Sequence, residues 1–210
     1  MKTDVLGDSA IILRDLSAPA HQIAEAIQMA ELPGVIEAVA SYETVGVYFN
    51  PHVFDVRFLN ELDFSPSLTP VTRHQIPVCY EMGMDLDEVS AELALSNEEV
   101  IRFHASMDYD CFAVGFCPGF PYLGYLPKVL SGIPRRSSPR VRVEPGSVAI
   151  TGKQTGVYPM VRPGGWALIG KTPLCLVDVE DAYFPIKAGD KVRFVPIGLA
   201  DYESLEGERL

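Results

Sequence analysis

Basic side chains cluster between Lys128 and Lys171, where eight Lys and Arg residues accompany a single acid, Glu144. Arginine guanidinium groups hold carboxylates and phosphates through paired hydrogen bonds. Four arginines fall within this segment's most basic part, namely Arg135, Arg136, Arg140 and Arg142. The pattern predicts a binding site for a small anion.

A second polar loop, TGKQTG at residues 151–156, places Lys153, Gln154 and Thr155 between glycines. Glycine lets backbone N–H groups approach a ligand closely, which suits an anion. The loop lacks the spacing and the following helix of a nucleotide phosphate loop. We therefore predict that these three residues contact a small substrate.

The stretch GFCPGFPYLGYLP at residues 115–127 combines turn-forming glycines and prolines with aromatic rings. It is too interrupted for a helix and too aromatic for a solvated linker. Apolar rings that exclude water around a ligand are the predicted role of four side chains: Phe120, Tyr122, Tyr158 and Trp166. The alternative is that these loops are only corners of a β-barrel.

Two further side chains have reactive groups. His104 is a candidate general base, because its ordinary pKa lies near neutrality; the alternative is a hydrogen bond to a neighbouring carbonyl. Cys117 has no histidine near it in sequence, and we expect a packed side chain rather than a nucleophile. The four cysteines form no CxxC pair, so neither a metal site nor a disulfide framework is expected.

Charge is divided unevenly along the chain. Residues 1–110 hold five Lys/Arg against nineteen Asp/Glu, whereas residues 111–196 hold eleven against five. The acidic part would repel a polyanion, so no nucleic-acid partner is expected. The alternative to an anion site is that the arginines pair with acids of the other half across a domain interface.

The elements that must position these groups form two predicted domains and a connector. Residues 1–84 alternate strand and helix patterns close to β-α-β-β-α-β, which predicts a ferredoxin-like α/β sandwich. Residues 85–107 contain two helix patterns, the second opened by the capping box SNEE. Residues 108–210 hold short strands among frequent glycines and prolines, which predicts a closed β-barrel. The fold class is therefore α+β.

The chain has no apolar run of about eighteen residues that could span a membrane. Its N-terminus, MKTDVLGDSA, contains acids where a signal peptide requires apolar residues. We expect a cytoplasmic protein without a membrane partner.

The segment from His104 to Pro127, followed by PRRSSPRVRVEPGSVAITGKQTGVYPMVRPGGWALIGKTP, resembles the family of 5-oxoprolinase B subunits. The same family is described as sporulation kinase A inhibitor (KipI) or allophanate hydrolase subunit 1 type. The resemblance extends over nearly the whole chain. It implies an N-terminal α/β domain and a C-terminal cyclophilin-like β-barrel.

The resemblance also implies an activity and partners. Family members act with a homologous C subunit and a separate A subunit to phosphorylate 5-oxoproline with ATP and hydrolyse it to L-glutamate. The implied protein is one component of a heteromeric ATP-dependent hydrolase, inactive alone, and which component binds ATP is left open. On this reading His104 and Arg140 are the catalytic candidates, beside the predicted substrate-binding residues.

Two other functions stay open within the same resemblance. One is inhibition of a sensor histidine kinase by direct binding, which needs an exposed apolar patch. The other is a place in a biotin-dependent, urea carboxylase-like carboxyltransferase.

Overall fold

A computed structural model describes residues 1–62, 64 and 70–210 of the chain. The chain divides into two compact units, Met1–Val71 and Thr72–Leu210. The first unit contains the acidic N-terminal elements. The second contains all of the residues predicted to form a site.

The first unit is a four-stranded antiparallel sheet with one α-helix packed against it. The sheet order is β1-β2-β4-β3. Alternate positions of the central strands are apolar, and Leu13, Val45 and Val47 are buried together with Ile23 and Ile27 of the helix. The elements are β1 (Lys2–Leu6), β2 (Ala10–Arg14), α1 (Ala20–Met29), β3 (Val35–Ser41) and β4 (Thr44–Phe49).

The ferredoxin-like layout predicted for residues 1–84 is not what the elements form. The second predicted helix is a 3-10 helix, Val56–Glu61. The last predicted strand, β5 (Arg73–Val78), leaves the first sheet and pairs in parallel with β13 (Lys191–Pro196) of the second unit. That pairing joins segments more than 110 residues apart, which no local pattern reveals. The unit boundary therefore lies after Val71 rather than at residue 84.

The second unit is built on a seven-stranded sheet with the order β12-β9-β10-β7-β6-β13-β5. Its two edges meet, because Cys79 and Lys171 exchange backbone hydrogen bonds of 2.8 and 3.0 Å. The sheet is thus a nearly closed barrel, as predicted for this half of the chain. The remaining strands are β6 (Asp108–Val114), β7 (Pro121–Gly124), β8 (Arg140–Val143), β9 (Ser147–Thr151), β10 (Gln154–Val157), β11 (Arg162–Gly164) and β12 (Ala167–Lys171).

The two helices predicted as a connector belong to the second unit. They are α2 (Leu86–Leu93) and α3 (Asn97–His104), and the capping box joins Ser96 and Glu99 as the sequence predicts. Val89 and Val100 of these helices are buried in the main core of the barrel. A short helix, α4 (Leu199–Leu205), follows β13.

Alternation along β9 separates two apolar clusters. Val148 and Ile150 face the main core, whereas Ala149 between them belongs to a second cluster on the opposite face of the sheet. The second cluster is covered by the two-stranded sheet of β8 and β11 and by the loop between β6 and β7. This arrangement brings the predicted aromatic residues to one place.

Candidate functional site

The loop between β6 and β7 is the first half of the GFCPGFPYLGYLP stretch. It closes on itself, since the Phe120 N–H donates to the Cys117 carbonyl at 3.2 Å and the Gly115 N–H donates to the Phe120 carbonyl at 3.1 Å. Gly119 has φ of +73°, and a Cβ atom there would lie 2.1 Å from Val177 Cγ1. Only glycine fits this position.

Phe120 is the centre of an aromatic cluster. Its ring makes edge-to-face contacts with centroid distances between 5.0 and 5.6 Å. Such geometry is favourable because the positive edge of one ring meets the negative face of another. The partners are Phe116, Tyr122, Tyr158 and Trp166.

These five aromatic residues line a cavity of about 230 Å³, hereafter the aromatic cavity. The four rings predicted to surround a ligand thus converge, and Phe116 joins them with 56% of its surface exposed. The rest of the lining is Arg135, Pro139, Pro163, Gly164 and Gly165. A Cβ atom on Gly164 would lie 2.3 Å from Tyr158 Oη, so the close approach of the phenol requires glycine.

Arg135 is the one charged residue, among those that the structure describes, that lines the aromatic cavity. Burial raises the pKa of Tyr122 and Tyr158 above the ordinary value, and Arg135 acts in the opposite direction on both. Both phenols are consequently neutral at pH 7. The cavity offers a guanidinium group and two phenol groups to a ligand among its apolar rings.

The three other arginines of the most basic part, Arg136, Arg140 and Arg142, are paired with acids. Arg136 and Arg140 both donate to Asp85, which is 3% exposed and also accepts the Leu168 N–H at 2.7 Å. Arg136 also donates to Glu88, 3.0 Å away.

Arg142 pairs with Glu144 on the surface. Pairing of arginines with acids, weighed as the alternative to an anion site, is therefore what these three side chains do. The pairs that involve Asp85 and Glu88 lie within the second unit rather than between two domains.

Arg140, the predicted catalytic arginine, does not line the aromatic cavity. Its side chain is mostly buried on Asp85, and its Nη1 atom is buried without a hydrogen-bond partner among the described residues. The pairing with Asp85 favours a structural role for Arg140, and its catalytic role stays a prediction.

The TGKQTG loop is the hairpin turn between β9 and β10, with Gly152 at φ of +56°. The Gly152 N–H already donates to the Ile133 carbonyl at 2.7 Å. Lys153 is exposed and Gln154 half-buried, while Thr155 is fully buried and donates to the Ala149 carbonyl. None of the three predicted residues lines the aromatic cavity, so the structure divides the predicted site in two.

His104 is completely buried in the main core. Because the Thr155 hydroxyl donates to Ala149, its oxygen accepts a hydrogen bond from His104 Nε2 at 2.8 Å, and the Tyr80 hydroxyl donates to Nδ1 at 2.7 Å. Burial lowers the pKa of His104 to about 3. The imidazole is neutral with both nitrogens bonded, which corrects the expectation of a general base and favours a structural role.

Cys117 is a packed side chain, as expected, with 7% of its surface exposed. Burial raises the pKa of its thiol, although Arg162 nearby acts in the opposite direction. The thiol is therefore not activated as a nucleophile. In the described ranges, no group of three or more His, Cys, Asp or Glu side chains could hold a metal ion.

Sequence reasoning did not single out Arg135, Phe116 or Gly164. Arg135 was one of four equivalent candidates, and only the positions of the acids distinguish it. Phe116 has φ of +71°, a conformation that an isolated sequence does not indicate for phenylalanine.

The fold of the chain is also found in distantly related proteins of known structure. The urea carboxylase of Kluyveromyces lactis has a similar fold over 97% of this chain and 22% of that chain, with a TM-score of 0.70 at 15% identity. The chain thus shares its fold with about a fifth of that urea carboxylase.

The chain belongs to the family described as carboxyltransferase domain, subdomain C and D, which it matches over residues 1–185. The 5-oxoprolinase B subunit of Bacillus subtilis (strain 168) is 37% identical over 97% of this chain and 95% of that protein. The Escherichia coli O157:H7 protein of the same name is 39% identical over 91% of this chain and 94% of its own. The family resemblance found in the sequence is confirmed.

The crystal structure of the protein TTHA0988 matches 90% of this chain at 34% identity, with a TM-score of 0.80. This chain spans only 40% of the length of TTHA0988. The protein PH0987 from Pyrococcus horikoshii matches 96% of this chain and its own whole length at 30% identity, with a TM-score of 0.58. No helix in the described part of this chain has the length and hydropathy needed to cross a membrane.

Proposed function

We propose that this chain is the B subunit of an ATP-dependent 5-oxoprolinase, a hydrolase that opens 5-oxoproline to L-glutamate. Relatives that carry this name match more than nine tenths of the chain at 37% and 39% identity. The observation that carries the proposal is the aromatic cavity, whose volume of about 230 Å³ suits a small metabolite and whose only charged lining residue, within the described part of the chain, is a cation. 5-Oxoproline is a small, flat ring acid with one carboxylate.

The proposed B subunit is inactive alone and acts with homologues of the C and A subunits. Among the described residues, the lining of the aromatic cavity contains no carboxylate and no imidazole, and we assign the general base to a partner chain. TTHA0988 and the urea carboxylase carry the matched fold within longer chains, of which it makes up 40% and 22%. In those proteins the fold is covalently joined to other segments of the same chain. We expect this chain to bind its partners as separate subunits instead.

ATP is the proposed co-substrate, because an amide becomes a better electrophile when its oxygen is phosphorylated. The residues of this chain do not fit a triphosphate well. The aromatic cavity is small, and the Gly152 N–H of the TGKQTG turn is already bonded within the barrel. We therefore place the nucleotide on a partner protein of the complex.

The test is co-expression of this chain with the C and A homologues of its own genome. We expect a stable complex of this chain with the C homologue, and phosphate release that requires both ATP and 5-oxoproline once the A homologue is added. The isolated chain should give no phosphate release. Failure of the chain to associate with either homologue would reject the proposal.

A second candidate function is a carboxyltransferase step in a urea carboxylase-like enzyme, favoured by the fold shared with the Kluyveromyces lactis enzyme. That function requires a biotin carrier, whereas the proposed hydrolase does not. Turnover by the assembled complex in the presence of avidin distinguishes the two, since avidin binds the biotin of any carrier and blocks its use as a carboxyl carrier.

A further inference from the structure

We propose that Arg135, rather than Arg140, holds the ligand of the aromatic cavity by binding the carboxylate of a small ring acid. Arg135 makes no hydrogen bond or ion pair with any residue that the structure describes, and within that part of the chain it is the only charged side chain lining the cavity. A cavity with one cation and no acid attracts an anion. The identity of the ring acid as 5-oxoproline rests on the proposed function, whereas its charge and size rest on the cavity.

The segment around Arg135 is held on both sides: the Ile133 carbonyl before it accepts the Gly152 N–H at 2.7 Å, and Arg136 after it is bonded as well. The Arg136 N–H donates to the Gly165 carbonyl at 2.8 Å, and the Arg136 side chain donates to Asp85 and Glu88. Asp85 in turn accepts the Leu168 N–H of β12, so the segment is tied to the barrel. A fixed backbone lowers the entropy that Arg135 loses when it binds.

The aromatic rings determine which part of the ligand lies opposite the guanidinium group. Phe120 and Trp166 are buried beneath the cavity, and their apolar surfaces exclude water from a bound ring. The hydroxyl groups of Tyr122 and Tyr158 are neutral donors, since the pKa of each is raised. A ring that lies on the aromatic residues can therefore direct its carboxylate at Arg135 while the carbonyl oxygen attached to the ring accepts a hydrogen bond from a phenol.

A monocarboxylate fits this site better than inorganic phosphate. Phosphate carries between one and two charges at neutral pH and needs several donors, whereas the cavity supplies one guanidinium group among apolar rings. Phosphate also has no apolar surface to place on the aromatic residues.

The experiment is isothermal titration of the full chain with three probes: 5-oxoproline, 2-pyrrolidinone and inorganic phosphate. 2-Pyrrolidinone is the same ring without the carboxylate. We expect saturable binding of 5-oxoproline, and binding about 10- to 100-fold weaker for 2-pyrrolidinone, the range for losing a hydrogen bond to a charged group. Phosphate should bind no better than 2-pyrrolidinone.

The Arg135→Gln variant should bind 5-oxoproline about 10- to 100-fold more weakly while its affinity for 2-pyrrolidinone stays unchanged. Arg142→Gln is the matched control, because Arg142 is exposed, pairs with Glu144 and does not line the cavity. Equal binding of 5-oxoproline by the Arg135→Gln variant and the unaltered chain would overturn the assignment. So would the absence of saturable binding, or phosphate binding that depends on Arg135.

Failure of this inference and failure of the proposed function give different results. If the assembled complex hydrolyses 5-oxoproline and Arg135→Gln leaves its KM unchanged, the function stands and the assignment of Arg135 fails. If the isolated chain binds 5-oxoproline through Arg135 and the complex shows no ATP-dependent turnover, the site stands and the proposed function fails.

Discussion

Two clusters of the second unit contain polar side chains among aromatic rings, and they differ in what those side chains bind. In the core cluster, His104 stacks on Phe194 at 4.5 Å, and Tyr80 and Thr155 occupy both of its nitrogens. In the aromatic cavity, Arg135 stands beside Tyr122 and Tyr158 with no bonded partner among the described residues. Saturated polar groups stabilise a fold, whereas an unpaired cation beside open space is available to a ligand.

The same contrast separates two arginines five positions apart. Arg140 and Arg135 are the same residue type, yet the side chain of Arg140 is mostly buried on Asp85 while Arg135 is exposed at the cavity. The two side chains are chemically identical, so the position of Asp85 determines which arginine forms an ion pair and which stays available to a ligand. Four substitutions test this difference, and they follow in decreasing order of their expected effect.

Asp85→Ala should give the largest loss of stability, because it removes the carboxylate that neutralises two arginines and accepts a backbone N–H. Breaking a buried ion pair by removing one partner costs about 3 to 5 kcal/mol. Urea unfolding followed by circular dichroism measures the change. Glu144→Ala is the control, since the pair of Glu144 with Arg142 is exposed and its removal should leave the midpoint nearly unchanged. Equal losses of stability in the two variants would show that the buried carboxylate of Asp85 is no more important for folding than the exposed one of Glu144.

Acid should destabilise the chain through His104. Its pKa is lowered from 6.5 to about 3 in the folded chain, so the unfolded chain binds the proton first as the pH falls. The stability that the neutral imidazole provides is complete above about pH 6.5 and is lost progressively toward pH 3, by about 1.4 kcal/mol per pH unit.

Urea unfolding at pH 7, 6 and 5 measures this dependence. His104→Gln has no titratable group at the position, so its stability should fall less steeply over the same interval. Parallel curves for the variant and the unaltered chain would show that His104 titrates normally and is accessible to solvent.

Gly164→Ala tests the close approach that shapes the aromatic cavity. The added methyl group would lie 2.3 Å from Tyr158 Oη, so the ring must move, at a cost of about 1 to 3 kcal/mol. Binding of 5-oxoproline should weaken as well. Gly115→Ala is the matched control, because its methyl group would meet no atom within 4 Å. The same loss in both variants would mean that the loops tolerate no side chain for reasons unrelated to the cavity.

Phe116→Ala should have the smallest effect. Phe116 is more than half exposed, so its removal should change the free energy of unfolding by less than about 0.5 kcal/mol. The ring also lines the cavity, and losing one aromatic contact should weaken 5-oxoproline binding by about 2- to 5-fold. Val179→Ala, exposed and outside the cavity, should change neither quantity. Unchanged binding by Phe116→Ala would remove this ring from the site.

The barrel, the two helices before it with their capping box, and four of the five aromatic residues around the cavity were predictable from the order of residues alone. These features depend on local chemistry: turn residues at short intervals, a Ser-to-Glu cap, and rings that cannot be left in a solvated loop. The turns, the helix cap and the burial of the aromatic rings are favoured by residues that are neighbours in sequence. The family resemblance also came from the sequence.

The pairing of β5, the hydrogen bonds of His104 and the identity of the free arginine became visible only in the folded chain. Each of these depends on a partner distant in sequence: β13 for β5, Tyr80 and Thr155 for His104, and Asp85 for Arg140. A guanidinium charge is neutralised by an acid that lies within a few ångströms of it, and that distance cannot be read from the sequence.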